Sequence, residues 1–124
     1  MEEDKLNIDE TVLSVDLSEA TEAVKEARFE DALNLLSIVL KDHPDNIDVL
    51  YLAAVSSRYL KKFDESKKYI EHLLFNAPDM GRAYQELGHL NRDMGDEEKA
   101  VVHYRQACEL NPALLAAWNS LYEY

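Results

Sequence analysis

The chain has 124 residues, 47% of them apolar, with only 3 Gly and 3 Pro, so it is sized for one domain and poor in helix breakers. A formal net charge of −12 argues against nucleic acid and against an anionic membrane surface, because Lys and Arg must supply the attraction to both. No apolar run is long enough to span a bilayer, the acidic N-terminus lacks the basic-then-apolar layout of a secretory signal, and the single Cys108 cannot close an internal disulfide, which together point to a cytoplasmic protein.

In chain order, residues 1–12 form an acidic extension whose first eight residues are expected to fray. A first helix is predicted over 14–27, where Leu13, Leu17, Ala20, Val24 and Ala27 step by four and three. A second, 29–42, carries Phe29, Ala32, Leu36 and Val39 and must end before Pro44. Helices 47–60 and 63–76 follow, with Leu50, Ala53 and Ala54 in the first and Phe63, Ile70 and Leu73 in the second. The next pair is 81–94 and 97–110. Gly95 can close the earlier helix in a left-handed conformation, and Asp96 can cap the later one. The acids Asp96, Glu97 and Glu98 suit the positive end of a helix dipole. A last helix is predicted over 114–124.

Pro44, Pro78 and Pro112 are each 34 residues apart, and a fixed period of that size marks a repeat architecture. The units are 13–46, 47–80 and 81–114, with a partial unit over 115–124. In the third unit Tyr84, Leu87, Gly88, Gly95, Ala100, Tyr104, Ala107 and Pro112 hold the places of an aromatic, Leu-Gly, a turn, Ala, a second aromatic, Ala and Pro. That pattern resembles the tetratricopeptide repeat. The resemblance implies an all-α, right-handed α-solenoid of antiparallel helix hairpins, about three units plus a partial fourth. Gly88 and Ala100 are small enough to let the paired helices approach, and Tyr84 and Tyr104 fill the space beside that contact. The earlier units depart from the pattern. Lys61 replaces the turn glycine and Ser66 the small Ala, while Asp16 and Glu19 occupy the aromatic and Leu places of the first helix, as suits an end cap facing water.

The last helix matches the start of a fourth unit through Trp118 and Leu121, yet Leu114, Leu115, Ala117, Trp118, Leu121, Tyr122 and Tyr124 make it apolar nearly all round. Such a helix is normally buried. Two compatible readings stay open: the natural chain continues with more repeats or another domain, or two copies form a homodimer through 114–124.

In the family the first helix of each hairpin lines a concave groove. The resemblance places there Leu17 and Thr21; Asp48, Tyr51, Val55, Arg58 and Tyr59; Arg82, Gln85, His89, Arg92 and Asp93; and Asn119 and Glu123. Three arginines on one face of so acidic a chain suit a carboxylate, which a guanidinium grips through parallel hydrogen bonds, and the tyrosines supply rigid contact area. The expected partner is a protein or peptide with acidic groups or a free C-terminus. The alternative is that these arginines pair with Asp48, Asp93 and Glu123. A family subset holds chaperone C-termini through a five-residue polar clamp. The matching positions here are Leu17, Thr21, Leu52, Arg82 and Glu86, of which only Arg82 is basic, so that function is not expected.

Neither a catalytic motif nor a cofactor is expected. Of His43, His72, His89 and His103, none sits in a zinc-helix pattern, and the lone Glu86-x-x-His89 lacks the second copy that a di-iron bundle needs. Cys108 is expected to be a buried, inert thiol. A second class of function remains. The run from Asp79 to Leu114, followed by a Trp-bearing helix, is similar to the N-terminal repeat regions of bacterial tetratricopeptide-repeat sulfotransferases. That likeness implies an enzyme whose catalysis lies in a separate C-terminal domain.

Overall fold

The computed structural model describes residues 17–122; the acidic extension, Leu13, Asp16, Glu123 and Tyr124 lie outside them. Every regular element among the described residues is a helix: α1 (17–25), α2 (Phe29–Asp42), α3 (Ile47–Tyr59), α4 (Phe63–Asn76), α5 (Gly81–Asp93), α6 (Glu97–Leu110) and α7 (Leu115–Tyr122). None is long and apolar enough to cross a membrane. Helices α3–α4 and α5–α6 form hairpins and α7 packs on α6, while Ala20 and Ala23 of α1 pack with Ala32, Leu33 and Leu36 of α2 to make the first hairpin.

The 34-residue period is written into the backbone. At each hairpin turn one residue takes the left-handed conformation: Ala27 (φ 60°), Lys61 (φ 63°) and Gly95 (φ 85°). Its N–H bonds three residues back, to Val24, Arg58 or Arg92, and the next N–H reaches five back: Arg28 to Ala23 at 2.7 Å, Lys62 to Ser57 at 2.8 Å, Asp96 to Asn91 at 2.8 Å. This pair of bonds satisfies the orphan carbonyls at a helix end. The first helix is therefore shorter than the 14–27 expected. It stops at residue 25, and Ala27, assigned above to its apolar face, is an exposed turn residue. The periodic pattern continued one step too far because alanine gives no hint of a left-handed turn.

The prolines occupy equivalent exits. His43, Ala77 and Asn111 each donate to a carbonyl four residues back, at Val39, Leu73 and Ala107, and Pro44, Pro78 and Pro112 follow in a tight turn. Asn46 then caps α3 by accepting from the Val49 N–H at 3.1 Å, and Asp96 caps α6 by accepting from Lys99 at 3.1 Å.

Inside the stack the small-residue place of the first helices holds Ala20, Ala54 and Gly88, all buried. Opposite them lie Leu36, Ile70 and Tyr104, fully buried. A Cβ built on Gly88 would come within 2.7 Å of the Tyr104 ring, so any side chain here must displace that ring. Ser66, in an alanine place, donates its hydroxyl to the Ala54 carbonyl at 2.9 Å, which satisfies a group that has no access to water.

The final helix does not find the burial that its composition calls for. Ala117 and Ser120 are buried and Leu121 packs on α6, but Leu115, Trp118 and Tyr122 are 74%, 41% and 86% exposed. Trp118 is partly covered, its indole N–H donating to the Pro112 carbonyl at 2.9 Å, while Leu115 and Tyr122 stand largely open.

Candidate functional site

The first helices are neighbours: α3 meets α5 and α5 meets α7, whereas the second helices α2, α4 and α6 do not meet one another among the described residues. The stack therefore curves with the first helices inside, and their outward stripe is its concave face. The 34-residue register turns that face into a grid. Along α3 it carries Asp48, Tyr51, Val55 and Arg58; along α5 the equivalent places are Arg82, Gln85, His89 and Arg92. Spacings of three and four keep each set on one side of its helix.

At one end Arg82 lies over the Tyr51 ring, 4.7 Å from its centroid, with Asp48 at 4.0 Å. Arg82 makes no hydrogen bond within the described residues and is half exposed. Tyr51 is half-buried, and burial, then the nearby Glu86 charge, raises its pKa.

At the other end Arg58 is paired internally. Only 6% exposed, its Nε donates to Glu86 Oε2 at 2.5 Å, Nη2 to Glu86 Oε1 at 3.3 Å and Nη1 to Asp93 Oδ2 at 2.9 Å. Burial works against the guanidinium charge, but the two carboxylates more than offset it and hold the pKa above its ordinary value. Burial pushes the Glu86 carboxyl up while Arg58 pulls it down. Arg58, counted above among the groups offered to a ligand, is thus a strut between the second and third hairpins. Arg92, half-buried, meets Asp93 only at 3.6 Å and makes no hydrogen bond within the described residues.

Between these ends the Gln85 Oε1 is buried without a hydrogen-bond partner among the described residues. His89 Nδ1 lies 2.7 Å from the Tyr104 hydroxyl, which leaves Nε2 as the ring's other hydrogen-bonding atom. Burial, then the charges of Arg58 and Arg92, lower its pKa from 6.5 to about 4, so the ring is neutral at physiological pH. Val55 is half-buried and Asn119 exposed. Tyr59 sits apart. It stacks on Phe29 at 4.4 Å and lies beneath Arg58, at the hairpin-turn edge of the stack. Leu17 and Thr21 line a depression of about 360 Å³ on α1 with Ser18, Glu22 and Lys25.

Glu86 is the residue whose part in the site was missed. It stood out as the wrong sign for a chaperone clamp and as half of a lone Glu-x-x-His pair, yet it is the buried counterion that fixes Arg58. The available signal was an acid on the third first helix one turn from the place facing Arg58. Cys108 is buried as expected, and desolvation raises its thiol pKa.

Residues 81–114 match the tetratricopeptide repeat model. Solved structures share the whole architecture. The first tetratricopeptide-repeat domain of human RPAP3 superposes with a TM-score of 0.82 at 20% identity, covering 90% of this chain and 87% of that one. The first such repeat domain of Spaghetti, bound to the HSP90 peptide SRMEEVD, gives 0.80 at 20% identity over 90% and 88%. An O-GlcNAc transferase from Thermobaculum terrenum gives 0.87 at 22% identity over 93% of this chain but 22% of its own. At these identities the likeness is one of fold. The sulfotransferase likeness draws no support from these matches. With the repeat signature in α5–α6 and the same turns and exits at 34-residue intervals before it, residues 81–114 are a tetratricopeptide repeat and the chain has the fold of tetratricopeptide-repeat domains.

Proposed function

We propose that this chain is a non-catalytic, cytoplasmic binding module that holds an extended peptide or a segment of a partner protein on its concave face. The observation that carries this is the contrast among its arginines. Arg58 is locked to two carboxylates, while Arg82 and Arg92 stand half exposed and make no hydrogen bond among the described residues. In an acidic chain, two such guanidiniums favour a ligand with acidic groups or a free C-terminus. The SRMEEVD peptide held by a protein of the same fold is acidic and supports that choice. The five-residue chaperone clamp itself is not proposed, since Glu86 is committed to Arg58. Nuclear magnetic resonance titration with a short acidic peptide bearing a free C-terminus tests the reading. The expected shifts fall on α3 and α5, and Arg82→Glu and Arg92→Glu weaken binding; shifts confined to other surfaces, or unchanged affinity in both variants, would overturn it.

A second partner is another copy of the chain, meeting the exposed stripe of Leu115, Trp118 and Tyr122 on α7, since soluble surfaces rarely leave three large apolar side chains in line. Sedimentation velocity should then show concentration-dependent association that a Leu115→Glu, Tyr122→Glu double variant abolishes. A wild-type chain that stays monomeric would remove this dimer.

A further inference from the structure

The concave grid specifies the kind of peptide it fits. We infer that it reads an extended segment in which two acidic residues flank an apolar one at alternate positions, acid-x-apolar-x-acid. This rests on the proposal that the concave face binds a peptide, and it adds which peptide.

Arg82 and Arg92 are ten residues apart on α5, which at a rise of ~1.5 Å per residue separates them by about 15 Å along the helix axis. An extended chain advances about 3.3 Å per residue and points alternate side chains to one side, so residues i and i+4 place two carboxylates about 13 Å apart on the same face. The reach of the arginine side chains closes the remainder. The residue between them, i+2, points the same way and arrives at the middle of the grid.

The middle matches that arrangement. Tyr51 and Val55 on α3 offer apolar surface, while Gln85 and His89 on α5 offer hydrogen-bonding groups. Gln85 is half-buried, with its Oε1 enclosed beneath this surface and without a hydrogen-bond partner among the described residues. The neutral His89 ring, fixed at Nδ1 by Tyr104, presents Nε2 beside it.

The anchors are also prepared. Stacking on Tyr51 orients the Arg82 guanidinium, and its contact with Asp48 at 4.0 Å is too long for a hydrogen bond. Arg92 meets Asp93 at 3.6 Å in the same loose way, and Asp93 already accepts from Arg58. A ligand carboxylate therefore gains hydrogen bonds that neither arginine makes among the described residues, and Asp48, being exposed, is left in water at little cost.

The test is fluorescence anisotropy with acetylated, amidated peptides built on Glu-Ser-Leu-Ser-Glu, its scramble Glu-Glu-Leu-Ser-Ser, and the neutral Gln-Ser-Leu-Ser-Gln. The alternating peptide should bind about tenfold more tightly than the scramble, an advantage of one charge-assisted contact. Arg82→Gln and Arg92→Gln should each erase that advantage while circular dichroism shows the fold intact. If scramble and alternating peptide bind equally, or the advantage survives both substitutions, the spacing rule falls and the peptide groove stands. If none of the three peptides binds, and the free-C-terminus peptide of the resonance titration also fails, both fall together.

Discussion

Arg58 and Glu86 are 6% and 2% exposed and bridge the second and third hairpins, so the sharpest perturbation is to remove one and leave the other. Breaking a buried pair from one side costs about 3–5 kcal/mol, because an uncompensated charge stays in a poorly solvated site. For Glu86→Ala the lower end, about 3 kcal/mol, is expected, since Asp93 still accepts from Arg58 at 2.9 Å. For Arg58→Met the penalty depends on pH. The stranded Glu86 carboxyl is pushed up by burial with no Arg58 to oppose it, so the folded protein binds a proton that the unfolded one releases. Stability then rises as pH falls toward the acidic range. Glu86→Ala shows no such relief, since a guanidinium keeps its proton. The double variant Arg58→Met, Glu86→Ala should cost less than the sum of the singles by about 2 kcal/mol or more. Urea unfolding followed by far-ultraviolet circular dichroism, repeated across pH, measures all four corners of the cycle. A Glu86→Ala cost below about 1 kcal/mol, the range of exposed pairs, or strict additivity in the double variant, would refute the strut.

Three further outcomes follow from the same geometry. Gly88→Ala should destabilise by roughly 1 kcal/mol in urea titration, because crowding a fully buried Tyr104 ring 2.7 Å from the new Cβ costs about 1–3 kcal/mol and the gain in helix propensity returns about 1. Lys61→Gly should stabilise and Gly95→Ala destabilise, each by about 1 kcal/mol, since both residues hold a positive φ that costs a side chain roughly that much; like signs in calorimetry would contradict the shared turn. His89 has a folded pKa of about 4 against 6.5, so between those values the unfolded chain binds the extra proton and stability is lost as pH drops from 6.5 to 4, by roughly 3 kcal/mol in all. His89→Gln should flatten that slope in pH-dependent unfolding.

Sequence alone determined what local chemistry controls. Helices 29–42, 63–76 and 97–110 are read to the residue because a proline, a cap or a turn marks each end within a few positions. The period, the hairpin exits and the glycine contact at Gly88 follow from the same local rules applied three times. The tertiary structure decided what depends on how one hairpin lies on the next. Arg58 and Glu86 are 28 residues apart, and whether that arginine faces a ligand or a buried carboxylate turns on a few ångströms of inter-repeat packing that no periodicity encodes. The same holds at α7, where an apolar composition asks for burial, but only the packed neighbours settle that Leu115 and Tyr122 remain largely in water. Short-range steric and hydrogen-bonding preferences are properties of a segment, whereas burial and charge pairing are properties of the stack.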